Sequence, residues 1–169
     1  MVHVKSKISI MVWAVISREK KSQLHIVTEN SPGKKRGFNS RQYIQTLKNG
    51  LLPLYDEMRH FQQDNASIHT AKAVESFLLE HKVSILEWPP YSPDLNPIEH
   101  VWNLLKRRLF KLFPYLFDLK QNLADIEEFK ECLQKAWATI TQEEIRDLID
   151  SMPRRLAAVI EAKGWYTKY

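Results

Sequence analysis

The sequence predicts an α/β fold, a mixed β-sheet covered by helices, and three observations carry that expectation. Short β-branched runs occupy the start of the chain, the segments alternate as strand, strand, helix, strand, helix, strand, and nearly everything after Pro97 has helical periodicity. With 169 residues, 44% of them hydrophobic, and only 4 Gly, the chain can bury one core of its own and is too short for two large ones. Residues 1–169 therefore read as a single domain.

The elements follow in order. Ile8 to Ser17 and Leu24 to Thr28 are β-like runs joined by the polar segment Arg18 to Gln23, which reads as a hairpin. Lys5 and Lys7 ahead of Ile10 to Ile16 imitate the start of a signal peptide. The run is rich in β-branched residues, ends in charges and has no small-residue cleavage pattern, so a strand is the better reading. Glu29 to Asn39, with Ser-Pro-Gly and Lys34-Lys35-Arg36-Gly37, is a basic loop, and Ser40 is placed to cap the helix that follows. Tyr43, Ile44, Leu47, Leu51, Leu54, Tyr55 and Met58 recur at helical spacing, with Pro53 expected to interrupt them. His60 to Gln63 is an extended stretch ending at Asp64, Thr70 to His81 a helix, and Ser84 to Trp88 another strand. The prolines of Pro89 to Pro97 exclude regular structure until a helix opens at Pro97 and carries Glu99. Helical runs around Leu119 to Ile140 and Ile145 to Ala162 complete the chain, with Thr141-Gln142-Glu143-Glu144 matching a capping box between them.

Composition narrows the function classes. An excess of 25 Lys plus Arg over 20 Asp plus Glu gives +5 and a modest preference for a polyanionic partner. The one cysteine, Cys132, allows neither an internal disulfide nor a thiolate zinc cluster, and suits a reducing compartment. No apolar run approaches the length of a membrane span.

Two carboxylates stand where chemistry could use them. Asp64 lies at the carboxyl end of an extended segment, where side chains leave the sheet and meet ligands. Glu99 lies on the first turn of a helix. The 34 residues between them (99 − 64 − 1) are enough for one helix and one strand to return the chain. Paired carboxylates suit hard cations such as Mg²⁺, which take oxygen ligands and activate water against a phosphodiester. Structural readings compete: Asp64-Asn65 can form an Asx turn, and Asn96-Pro97-Ile98-Glu99 has the composition of a helix cap.

The motifs around them break the tie. Gln62-Gln63-Asp64-Asn65-Ala66-x-x-His69, followed by Trp88-Pro89-Pro90-Tyr91-Ser92-Pro93-Asp94-Leu95-Asn96-Pro97-Ile98-Glu99-x-x-Trp102, closely resembles the Tc/mariner-type DDE transposases. The similarity extends to Val12-Trp13-Ala14 near the start and to Ser151-Met152-Pro153-Arg154-Arg155 and Ala162-Lys163-Gly164-Trp165 near the end; Ser67 and Ala14 replace the proline and glycine of many relatives. The resemblance implies a ribonuclease H-like core and metal-dependent DNA cleavage and strand transfer. It also implies Mg²⁺ or Mn²⁺ held by Asp64 as second carboxylate and Glu99 as third. DNA, as transposon ends and target, would be the partner, with homodimers on DNA and a nuclear location following the substrate.

In that family pattern the first aspartate lies on a strand upstream of Val12-Trp13, in a phrase like Phe-Ser-Asp-Glu. No such phrase occurs here, and Glu19 and Glu29 both follow the Val12-Trp13 strand. The reading is therefore a partial catalytic domain that lacks the first, central strand and its carboxylate. Unpaired backbone along Met11 to Ile16 and Phe61 to Asp64, and poor solubility, are expected to follow. A second reading of the same residues is a non-catalytic DNA-binding remnant or domesticated protein.

His100 to Phe117 contains no acidic residue, while Lys106, Arg107, Arg108 and Lys111 cluster there; with Lys34, Lys35 and Arg36 they are the candidate phosphate contacts. A solvated helix face is the competing reading. His69 either shapes the site or serves as a cap or core-edge histidine, and Trp102, Leu105 and Leu109 read as core.

Overall fold

The computed structural model describes residues 2–5, 8–27, 38–87, 92, 95–163 and 165. The chain divides into two compact units, one formed by 1–26 with 93–169 and the other by 27–92.

The first unit is built on a three-stranded sheet in the order β1 (Val2–Lys5), β2 (Ser9–Trp13), β3 (His25–Val27). Alternation sets the faces of β2: Ile10 and Val12 are buried while Ser9 is exposed, as a period of two requires. Beyond β2 the chain turns back through an antiparallel bridge between Ile16 and Lys21, so the expected hairpin forms. The vacancy expected beside β2 does not form. Val2–Lys5 pairs antiparallel with β2, with Val2 opposite Val12 and Lys5 opposite Ser9, and satisfies that edge. Backbone groups take the nearest complementary ladder, and three residues separate these strands. No residue of β1 is a carboxylate.

Among the described residues this unit also holds four α-helices and a short 3-10 turn at Pro114–Phe117. Helix α3 (Pro97–Leu112) starts where proline at the first position and the Asn96 side chain, accepting from the Ile98 amide, predispose it to start. Its Val101, Trp102, Leu105 and Leu109 are buried, spaced three and four apart, and pack with Phe129, Leu133, Ala136 and Trp137 of α4 (Leu123–Ala138) and with Ile10, Val12 and Leu24. Trp102 and Trp137 lie 5.7 Å apart at 34°. Burying each of these large side chains contributes roughly 1.5–3 kcal/mol, so the α3–α4 seam is the main core. Helix α5 (Gln142–Asp150) opens with the expected capping box: Thr141 Oγ1 accepts from the Glu144 amide and the Glu144 carboxylate accepts from the Thr141 amide. The run expected as one helix from Ile145 to Ala162 breaks at Ser151, and α6 (Met152–Glu161) follows with Pro153 in its first turn. Lys21 ties the hairpin to the end of α4, its Nζ donating to the carbonyls of Trp137 (2.7 Å) and Ile140 (2.5 Å). Trp137 Nε1 returns a bond to the Ser22 carbonyl at 2.9 Å.

The second unit holds α1 (Ser40–Thr46), which continues as one π-helical stretch over Leu47–Leu51 and ends before Pro53. Its cap is Asn39 rather than Ser40: Asn39 Oδ1 accepts from the Gln42 amide, and Gln42 closes a capping box. Helix α2 (Lys72–Glu80) buries Val74 and Leu78. It closes with a Schellman turn in which the Val83 amide reaches Leu78 O (2.8 Å) and the Lys82 amide reaches Leu79 O (3.0 Å), forcing Lys82 to φ 52°. The stretches expected as strands at His60–Gln63 and Ser84–Trp88 meet in a single parallel bridge, Phe61 to Ile85, with Phe61 N bonded to Ser84 O and Leu86 N to Phe61 O. A lone pairing with no further rung leaves them extended segments among the described residues, and Trp88 lies outside those residues.

Candidate metal and DNA site

Asp64 follows the Phe61 bridge by three residues, where the extended segment has left its hydrogen-bonding partner. The chain then turns at once, with the His69 and Thr70 amides both bonded to Ala66 O. That turn folds His69 back onto Asp64. His69 Nδ1 lies 2.5 Å from Asp64 Oδ1 and 3.1 Å from the Asp64 carbonyl, and the Ala66 amide donates to the same Oδ1 at 3.1 Å. The Asx-type contact and the functional candidate are therefore the same residue. Among the described residues Oδ2 takes no hydrogen bond.

Burial is asymmetric within the pair. The His69 side chain is 5% exposed and that of Asp64 56% exposed, so the imidazole belongs to the unit's interior and the carboxylate faces outward. The hydrogen bond from His69 and the Ala66 amide outweigh burial, which acts the other way, and hold the Asp64 carboxyl at about 2. Asp64 is an anion at any physiological pH. The Tyr43 ring lies 4.5 Å from the His69 ring, and its hydroxyl donates to Gln63 Oε1 at 2.7 Å.

Glu99 occupies the first turn of α3, half-buried, with its amide on the Asn96 carbonyl. The positive end of the helix dipole favours a carboxylate there. Asp64 and Glu99 belong to different units. Among the described residues no three His, Cys, Asp or Glu side chains cluster as a complete metal site. The donors themselves suit a hard divalent cation: they are oxygens, and one is a fixed, ionised, outward-facing carboxylate.

The basic residues of α3 part ways. Arg107 and Lys111, four apart, share one exposed face, and Lys106 is half-exposed. Arg108 turns toward the α4–α5 junction, where it bonds to Glu144 Oε1 at 2.6 Å, Thr139 O at 3.0 Å and Thr139 Oγ1 at 3.3 Å. It ties helix ends together, and among the described residues it is the one member of the cluster committed to a carboxylate. Lys34, Lys35 and Arg36 lie outside the described residues. Trp102, Leu105 and Leu109 are core, as expected. Sequence reasoning left His69 open and read Tyr43 only as a helix residue. The five-residue step from Asp64 to His69 was the available signal, and only the tight turn at Ala66 gives it meaning.

Comparison with known proteins identifies the setting. The DDE superfamily endonuclease family matches residues 4–122. The chain is 47% identical over 109 residues to the transposable element Tc1 transposase of Caenorhabditis elegans (64% of this chain, 37% of that protein). It is 32% identical over 166 residues to the Tc3 transposase of the same organism (92% and 44%). It thus spans less than half the length of these relatives. A solved structure of the Mos1 transposase catalytic domain with raltegravir and Mn superposes with a TM-score of 0.70 at 22% identity, over 99% of this chain and 82% of that one. Another, of Mos1 transposase in a paired-end complex with the left transposon end, gives 0.68 at 22% identity, over 94% and 44%. The fold is that of these ribonuclease H-like catalytic domains, which bears out the expected fold class. On the strength of the family match across most of its length, this chain belongs to the DDE endonuclease superfamily, as a transposase domain of the Tc/mariner type.

Proposed function

We propose that this chain supplies two of the carboxylates of a divalent-metal site that cuts DNA at transposon ends and joins the freed strand to a target. The observation that carries the reading is Asp64, ionised down to about pH 2, outward-facing and oriented by the buried His69 in the motif typical of the family. Asp64 and Glu99 would hold Mg²⁺ or Mn²⁺. Such ions supply an activated water for hydrolysis and stabilise the leaving oxygen of the phosphodiester. The protein side contributes fixed anionic ligands for the cation, and Lys106, Arg107 and Lys111 as sequence-independent phosphate contacts along α3. The Mos1 complex with a left transposon end supports DNA as the partner. Homodimers on DNA and a nuclear location follow from that substrate. The first carboxylate of the family pattern would come from sequence upstream of Val12.

The test is a gel assay of nicking on a labelled transposon-end duplex with Mn²⁺, using the longest reading frame that contains this chain, beside calorimetric Mn²⁺ titration. Asp64→Asn and Glu99→Gln should each abolish nicking and weaken Mn²⁺ binding while leaving duplex binding intact. Wild-type Mn²⁺ affinity and nicking in both variants would remove the proposal, and duplex binding with no Mn²⁺-dependent nicking in any form would leave only a DNA-binding remnant.

A further inference from the structure

We infer that His69 is the positioning residue of the Asp64 carboxylate and that it acts through Nδ1 alone, held in place from behind by the ring of Tyr43. This rests on the reading of Asp64 as a metal ligand and goes beyond it by naming what sets that ligand's orientation. An exposed aspartate ordinarily samples several side-chain rotamers, each aiming its oxygens differently. Here both partners that restrain it, His69 Nδ1 and the Ala66 amide, converge on Oδ1, which leaves Oδ2 without a hydrogen bond among the described residues.

The tautomer follows from geometry. The two atoms nearest Nδ1, Asp64 Oδ1 and the Asp64 carbonyl oxygen, are both acceptors, so Nδ1 carries a hydrogen and donates it. Nε2, by contrast, is buried and finds no partner among the described residues. The orientation of the ring is thus decided on one side by hydrogen bonding and on the other by packing. Tyr43 is fully buried and its ring lies 4.5 Å from the imidazole at 33°. Its hydroxyl is anchored to Gln63, the residue immediately before Asp64, so one aromatic side chain touches the support of Asp64 from both ends. Partners that orient a metal ligand commonly change metal affinity about 10–100-fold when removed, although they never touch the ion.

The amide side chains separate the two ring nitrogens. Asn can present its NH₂ near the position of Nδ1, and Gln reaches instead to the position of Nε2. The experiment is Mn²⁺ titration followed by the electron paramagnetic resonance signal of free Mn²⁺, on the full chain and on His69→Ala, His69→Asn, His69→Gln and Asp64→Asn, with thermal unfolding of each. The expected result is about tenfold or greater weakening for His69→Ala and His69→Gln, restoration to within a few-fold for His69→Asn, and strong weakening for Asp64→Asn. If Asp64→Asn weakens binding and His69→Ala does not, the inference is overturned and the assignment of Asp64 stands. Equal affinities for His69→Asn and His69→Gln also overturn it, and this pair decides the matter if the alanine variant fails to fold. If Asp64→Asn binds Mn²⁺ as the wild type does, the assignment of Asp64 falls, and the role of His69 with it.

Discussion

Replacing Lys21 by Met tests whether the hairpin is fastened to helix α4 by a buried-edge cation. The substitution keeps most of the apolar stem and removes the ammonium, which donates to Trp137 O and Ile140 O and lies 5.0 Å from the centre of the Trp137 ring. Hydrogen bonds from a charged group contribute about 1.5–3 kcal/mol, and a cation at a helix C-terminus about 0.3–1 kcal/mol. These contributions overlap at Lys21. Partial burial of the ammonium works against them, and it pushes the Lys21 pKa down despite the nearby Glu144. The net loss should be about 2 kcal/mol, which for a chain of 169 residues lowers the unfolding midpoint by roughly 4–8 °C. Differential scanning calorimetry at neutral pH measures it, with the exposed neighbour Lys20→Met as control, expected within about 0.5 kcal/mol of the parent. A midpoint for Lys21→Met indistinguishable from that of Lys20→Met would refute the reasoning, because the two carbonyls would then be as well satisfied by water.

Two further outcomes are expected. Glu144 is held below the ordinary 4.5 of its kind by the Thr141 amide first and by Arg108 as well, against burial. A carboxyl depressed in the folded state contributes stability above its unfolded pKa and loses it as pH falls through the folded one. The stability gap between wild type and Glu144→Gln, measured by urea unfolding, should therefore be full at pH 7 and close below about pH 4; a gap constant down to pH 3 contradicts it. On α3, Arg107→Ala and Lys111→Ala should each weaken duplex binding equally for all sequences and reduce the salt slope by about one, whereas Arg108→Ala should lower the unfolding midpoint through its lost bonds to Glu144 and Thr139. Fluorescence anisotropy across a salt series checks this, and an equal slope change for Arg108→Ala would show that its carboxylate partner does not hold it.

What could be read from the sequence was what depends on near neighbours. The caps at Asn96 and Thr141, the buried stripe Trp102, Leu105, Leu109 of α3, and the interruption at Pro53 all arise within a turn or two of helix, where spacing alone sets the geometry. The motif around Asp64 and Glu99 was legible for the same reason, since family patterns are local strings. Long-range pairing was not. Val2–Lys5 is too short a run to announce itself, and only the free edge of β2 makes it a strand. Arg107 and Arg108 are adjacent and chemically identical, yet one faces solvent and the other is spent on Glu144, a choice made by how α3 meets the α4–α5 junction. His69 carries the same lesson at the site: its letter sits five places after Asp64, but its partner is decided by the turn at Ala66 and by the Tyr43 ring, 26 residues earlier in the chain. Hydrogen bonds and ring contacts between such distant residues exist only once the core has brought their backbones together, and no local pattern encodes them.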